Sequence, residues 1–199
     1  MKINEITIVK HATNDVLGSL PRLLNELGKN YKVIDITQDS LPDVSSLECV
    51  FIMGSMEAAY DDSLPWLYRE LVWLQKVIEA DVPILGICFG SQLLARALGG
   101  KAYKNVKAEH AWIVPEILSK DWQHKGPWFS FHFDTFDLPD DVELLARTKL
   151  AKQAYRKGKV LGLQFHPEID LNMFNVWLND WNRSKEGRLF LSKVGDLPQ

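Results

Sequence analysis

Cysteine is scarce in this chain: its 199 residues include two, Cys49 and Cys88, and no Cys-x-x-Cys pair. That scarcity argues against a disulfide scaffold, a structural zinc site or a thioredoxin-type motif. No stretch approaches the roughly 18 consecutive apolar residues of a membrane span. The opening Met1-Lys2-Ile3-Asn4-Glu5 carries charge where a secretory signal needs an apolar core. The expectation is a soluble, cytoplasmic protein. Charge of one sign is missing too: the formal net charge is -3, with Lys and Arg scattered, which leaves no electrostatic footprint for nucleic acid. There is no Gly-x-x-x-x-Gly-Lys phosphate loop, no internal repeat and no low-complexity linker. The adjacent acids Asp61 and Asp62 read as a solvated loop pair, so no metal and no organic cofactor is implied.

What is present is a hydrophobic fraction of 46%, enough for one well-buried core. The expectation is one domain over residues 1–199, with a loosely held tail from about residue 185, where periodicity fades. Short β-branched runs (Ile6 to Val9, Tyr31 to Ile36, Cys49 to Met53) alternate with a helical pattern over Val16 to Leu27. Such alternation predicts βαβ units and a parallel sheet. Cys49 lies in one of these runs and reads as a buried small hydrophobe. Leu67, Leu71, Leu74 and Ile78 fall on one helical face after Ser63-Leu64-Pro65. The chain then returns through Pro83 to Ile87, and Ser91 to Leu98 reads as a helix stopped by Gly99-Gly100. From Lys101 to Gln164 short strands are separated by Pro, Gly and Asp: Trp128 to His132, Leu144 to Thr148, Gln153 to Arg156 and Val160 to Gln164. They predict a sheet extension with edge hairpins. Asp170 caps a last helix whose Leu171, Phe174, Trp177, Leu178 and Trp181 share a face, a stripe expected to be core.

Gly86-Ile87-Cys88-Phe89-Gly90 has the form of a nucleophile elbow, a sharp strand-to-helix turn that holds one reactive side chain up. The free N–H groups and positive dipole end of the following helix favour the thiolate there. Of five histidines, His166 stands out: it directly follows the apolar run Val160 to Phe165 and has Glu168 two residues on. In an extended stretch, residues i and i+2 point to one side, so Glu168 can orient the ring while Pro167 holds the geometry. A carboxylate that fixes the tautomer of a base beside a nucleophile is the triad arrangement. Alone, either motif is a common strand-end sequence. Together, each at the C-terminal end of a parallel strand, they mark the edge where open α/β sheets gather reactive groups. His11, His110 and His124 read as solvent-facing or satisfied loop residues.

Order then separates the alternatives, because an α/β-hydrolase places its acid between nucleophile and histidine, whereas here the acid follows the histidine. In that order, the segments Ile84 to Ala95 and Gly162 to Glu168 resemble the class I, or triad, glutamine amidotransferase family, close to the glutaminase domain of GMP synthase. The likeness runs from about Ile6 to Trp181. It implies a three-layer α/β/α fold with an open, mostly parallel, flavodoxin-like sheet and a short antiparallel extension. It also implies that Gly54 and Ser55 end the oxyanion strand, with the N–H groups of Ser55 and Phe89 stabilising an oxyanion. Ser55 and Met56 stand where the family usually has Gly-Pro, and Gly tolerates backbone angles that Ser does not. Gln92 matches a position that helps hold glutamine. Phe131-His132-Phe133-Asp134 resembles the segment that fixes the substrate's α-amino and α-carboxyl ends, with Phe133 in place of Gly and His132 structural.

The reaction implied is attack of the Cys88 thiolate on the side-chain carboxamide of glutamine, or on a similar γ-glutamyl amide, with His166 moving the protons. Nothing in the chain activates an ammonia acceptor, so a synthase reaction needs a separate synthetase subunit. Gly54 to Asp62 also looks like the matching segment of plant γ-glutamyl peptidases, which makes a stand-alone γ-glutamyl peptidase or hydrolase the alternative. A binding or regulatory protein without catalysis is a third reading, against which the intact Cys88, His166 and Glu168 weigh. Oligomeric state is left open.

Overall fold

The structure is a computed structural model that describes residues 5–183 and Arg188. Apart from Arg188, the tail expected from about residue 185 lies outside the described residues. The β-branched runs form β1 (Glu5–Lys10), β2 (Tyr31–Asp35), β3 (Leu47–Ile52) and β4 (Ile84–Ile87), paired in parallel in the order β2-β1-β3-β4. β10 (Val160–Leu163) joins β4 in parallel. Beyond it the sheet turns antiparallel through β9 (Lys152–Lys157), β8 (Glu143–Arg147) and β6 (Glu116–Ile117). The sheet is therefore open and mostly parallel, with the antiparallel extension that the sequence predicts. β5 (Lys101–Ile113) and β7 (Trp128–Asp137) form a separate antiparallel pair.

Alternation along the strands sends Ile6, Ile8 and Ile87 to one face, under Leu20 and Leu24 of α1 (Leu20–Glu26). Val9, Val50 and Ile52 go to the other, beneath α2 (Leu67–Glu79) and α3 (Phe89–Ala97). Each such aliphatic side chain contributes about 1.5–3 kcal/mol by leaving water. On α2 the buried residues are Leu67, Glu70, Trp73, Leu74 and Val77, with Leu71 and Ile78 flanking them partly buried. The buried stripe thus keeps Leu67 and Leu74 of the expected face and takes in Glu70, Trp73 and Val77 beside them. Cys49 is free and partly buried beside α1, not fully buried as expected, and burial pushes its thiol up.

Two differences from the sequence reading have identifiable causes. The first helix starts at Leu20, not Val16, because Gly18 adopts φ +56 and a Cβ there would overlap the carbonyl oxygen of Glu168. Ser19 N–H instead donates to that carbonyl at 2.8 Å, pinning the β1–α1 loop to the chain around His166. The long strand β5 was not foreseen; its exposed Lys101, Lys104 and Lys107 and its buried Glu109 break the alternation that marks a strand. The last helix, α4 (Leu171–Arg183), starts as expected: Met173 N–H donates to Asp170 Oδ1 at 2.8 Å. Among the described residues no helix is long and apolar enough to cross a membrane.

Candidate active site

The chain reverses at Cys88, which holds φ 52 and ψ -110, a conformation costly for a side chain other than Gly. Its two flanking glycines make the turn possible. A Cβ on Gly86 would press into the Gly90 carbonyl, and one on Gly90 would overlap the carbonyl oxygen of Ile52. With neither present, α3 crosses directly over the ends of β3 and β4, and the Cys88 N–H donates to Leu163 O at 2.8 Å. That bond ties the elbow to the end of β10, from which His166 follows within three residues. His166 is fixed in turn by its own N–H, which donates to Phe129 O on β7 at 2.8 Å.

Cys88, His166 and Glu168 are thus brought together at one sheet edge, 7%, 3% and 4% exposed. His166 Nδ1 donates to Glu168 Oε1 at 2.8 Å, and the ring also hydrogen-bonds the Cys88 side chain. Burial alone would lower the histidine's pKa. The charges of Glu168 and Cys88 and the hydrogen bonds to both outweigh it and raise the value from 6.5 to about 10. Trp177 from α4 packs nearly perpendicular to the His166 ring, centroids 4.9 Å apart. The aromatic stripe of α4 is therefore divided: Trp181 packs on Phe129 and Phe131, and Trp177 and Trp181 also form cavity wall.

A cavity of about 300 Å³ opens over Cys88, lined by His11, Gly54, Ser55, His166 and the α4 side chains Met173, Val176, Trp177 and Asp180. Gly54 runs so close that a Cβ there would lie 3.4 Å from His166 Cε1 and 3.8 Å from Cys88 Cβ. Ser55 is not among the positive-φ residues, and its Oγ accepts from Glu57 N–H at 3.1 Å. The serine is therefore seated in an ordinary turn and needs none of glycine's freedom. Among the described residues, neither Ser55 N–H nor Phe89 N–H has an acceptor. Met56 is 82% exposed at the cavity mouth.

Of the other residues singled out in the sequence, Phe131 lines the cavity and its carbonyl lies 3.9 Å from Cys88 Sγ. Gln92, His132 and Phe133 are not brought to the wall. Gln92 is buried, and its Nε2 donates to Gln164 Oε1 at 3.1 Å and Asp134 O at 3.3 Å, so it braces the strand that carries Phe131. Phe133 turns outward against His110, rings 4.7 Å apart. His132 donates from Nδ1 to Asp134 O at 2.8 Å and from Nε2 to Glu109 Oε2 at 3.2 Å. Glu109, on the unforeseen β5, also accepts from Ser130, Thr148 and Gln153. Its burial would raise its pKa, but the His132, Thr148 and Ser130 hydrogen bonds lower it.

Of the two readings given for His11, solvent-facing or satisfied loop residue, the second holds. His11 is buried at the end of β1, paired with Glu70 of α2, and its ring touches Phe89. No local motif announces either partner; the one available signal was a Glu at a core-facing position of an amphipathic helix. Among the described residues no group of three or more His, Cys, Asp or Glu is placed to hold a metal.

The chain is similar to known proteins over most of its length. A family model described as glutamine amidotransferase class-I matches residues 9–180. A subunit of the glutamine-hydrolyzing GMP synthase of Pyrococcus abyssi is 36% identical over 105 residues, 48% of this chain and 56% of that protein. Its counterpart in Methanothermobacter thermautotrophicus is 28% identical over 154 residues, 73% of this chain and 82% of that protein. The chain matches just over half the length of the first of these and 23% of the glutamine-hydrolyzing GMP synthase of Gloeothece citriformis. A crystal structure of a glutamine amidotransferase from Thermotoga maritima superposes with TM-score 0.85 at 25% identity, over 97% of this chain and 90% of that one. With the family model spanning most of its length and the fold agreeing, the chain belongs to the class I glutamine amidotransferases.

Proposed function

We propose that the chain hydrolyses the side-chain amide of glutamine through a thioester on Cys88 and supplies ammonia to a separate synthetase. The observation that carries this reading is the buried His166–Glu168 hydrogen bond of 2.8 Å next to a cysteine on a strained elbow. With its value raised to about 10, His166 rests as imidazolium near neutral pH and holds the proton that a leaving nitrogen needs. The thiolate attacks the carboxamide carbon, and the oxygen gathers negative charge facing the acceptor-free N–H groups of Ser55 and Phe89. His166 then gives its proton to the nitrogen, the C–N bond breaks and ammonia leaves. Water, deprotonated by His166, attacks the thioester, so glutamate departs and the thiolate returns. Likeness to the glutamine-hydrolyzing GMP synthase proteins supports glutamine as substrate and a synthetase as partner.

One feature favours a second reading. Val176, Trp177 and Trp181 of α4 line the same cavity, an apolar wall against which an amine larger than ammonia would pack. A γ-glutamyl peptidase or hydrolase would use that wall. Purified protein incubated with glutamine and with γ-glutamyl peptides, following glutamate and ammonia, separates the two: fast peptide turnover by the chain alone favours the hydrolase. Slow glutamine turnover that rises when a synthetase is added favours the amidotransferase. In either case Cys88→Ala is expected to keep the fold and lose at least about 10³-fold in turnover; appreciable residual activity refutes the thioester.

A further inference from the structure

Beside the Cys88–His166–Glu168 group lies a second histidine–carboxylate pair that the proposed chemistry does not use. His11 Nε2 meets Glu70 Oε1 at 3.2 Å, with both side chains fully shielded from solvent. Glu70 stands on the core face of α2 among Leu67, Trp73, Leu74 and Val77, an expensive place for a carboxylate. Its other oxygen, Oε2, has no partner among the described residues, so His11 is its main compensation. The remaining nitrogen of His11, Nδ1, lies 3.3 Å from the carbonyl oxygen of Gly54.

This meeting follows from the sheet register. Val9 of β1 pairs with Ile52 of β3, so two residues further along each parallel strand His11 comes beside Gly54. Asp15 holds the end of β1 in place, with Oδ2 accepting from His11 N–H at 3.0 Å and Ala12 N–H at 2.7 Å. Both partners of the His11 ring, a carboxylate and a carbonyl, are acceptors. The ring therefore donates from both nitrogens, keeps no lone pair for a proton and cannot act as a second base.

The carbonyl it grips belongs to the same peptide unit as the Ser55 N–H. In a planar trans peptide the C=O and N–H point in opposite directions, so holding one fixes the other. We propose that His11, anchored by Glu70, is a positioning residue that turns the Ser55 N–H toward the developing oxyanion; this rests on reading Ser55 as an oxyanion donor. Donation into the Gly54 carbonyl also polarises that peptide and makes its N–H a stronger donor. The same ring packs on Phe89, centroids 4.5 Å apart, so one imidazole supports the residues bearing both donors. The role explains how Ser55 can serve in an ordinary turn: the peptide plane is set from outside by the imidazole.

The test uses two variants of the full chain. His11→Phe removes both hydrogen bonds; the double change His11→Phe with Glu70→Leu also removes the carboxylate left behind, so the core stays apolar and folded. With glutamine and γ-glutamyl-p-nitroanilide as substrates, both variants are expected to lose roughly 10- to 100-fold in kcat with KM unchanged, less than deleting a donor outright. Alkylation of Cys88 by iodoacetamide, which needs the thiolate but no oxyanion donor, is expected to keep its rate. Crystal structures of the double variant should find the Gly54–Ser55 peptide rotated or in two orientations. Wild-type kcat in the folded double variant, an unchanged peptide plane, or alkylation falling in step with turnover overturns the role. Failure of the wild-type protein to turn over either substrate would instead remove the oxyanion reading, and this proposal with it.

Discussion

At the residue scale the proposed chemistry turns on the protonation of one imidazole. His166 is raised to about 10 against the pull of burial, chiefly by the charge on Glu168 and then by Cys88. A folded value above the unfolded 6.5 means that this stabilisation is complete below pH 6.5 and is lost as pH rises through about 10. The alkaline limb of kcat/KM should accordingly lie near pH 10. Glu168→Gln keeps the shape and removes the charge, so that limb is expected to move to lower pH; an unmoved limb in a pH–rate profile would count against Glu168 as the source of the shift. These residues were legible in the sequence because each signal is local: five residues for the elbow, and a carboxylate two positions from its histidine. His11 and Glu70, 59 positions apart, and His132 and Glu109, 23 apart, were not. Tertiary contact alone brings those pairs together, and no spacing rule reaches across it.

Among the elements, α4 links helix formation to chemistry. Asp170 caps it through Met173 N–H, and one turn further on Trp177 packs against the His166 ring. Asp170→Ala should cost about 1 kcal/mol of stability through loss of the cap. It should also lower turnover several-fold as the Trp177 wall loosens, whereas Asp170→Asn, which still caps, should restore both in denaturation and activity measurements. The cap and the stripe were readable because helical periodicity is strong over this segment. The two uses of the stripe were not: the same i, i+3, i+4 pattern describes a face packed on β7 and a face lining a cavity. The late start of α1 was hidden for a similar reason, since the approach of Gly18 to Glu168 is a contact between distant segments.

For the molecule as a whole, opposite shifts bound stability on two sides of the pH scale. Glu109, held by His132, Thr148 and Ser130, has a folded value below its ordinary 4.5, so its contribution is present above pH 4.5 and disappears as pH falls through the folded value. His166 acts in the reverse sense toward pH 10. The expectation is a plateau in melting temperature from about pH 5 to 6.5, followed by a decline as pH rises toward 10. Glu109→Gln should flatten the acid-side decline while lowering the plateau, as scanning calorimetry across pH would measure. The parallel half of the sheet was readable from alternating β-branched runs, and the antiparallel extension from its turn residues, while β5 carried too many exposed polar side chains to be seen. The strand order itself has a temporal meaning. β10, the last strand in sequence among the described residues, sits in the middle of the sheet between β4 and β9, and it alone leads to His166. A chain emerging residue by residue thus holds Cys88 long before it holds a base, and its half-built sheet shows an open edge at β4 until the final strand slots in. The candidate site and the continuous sheet come into being in one event.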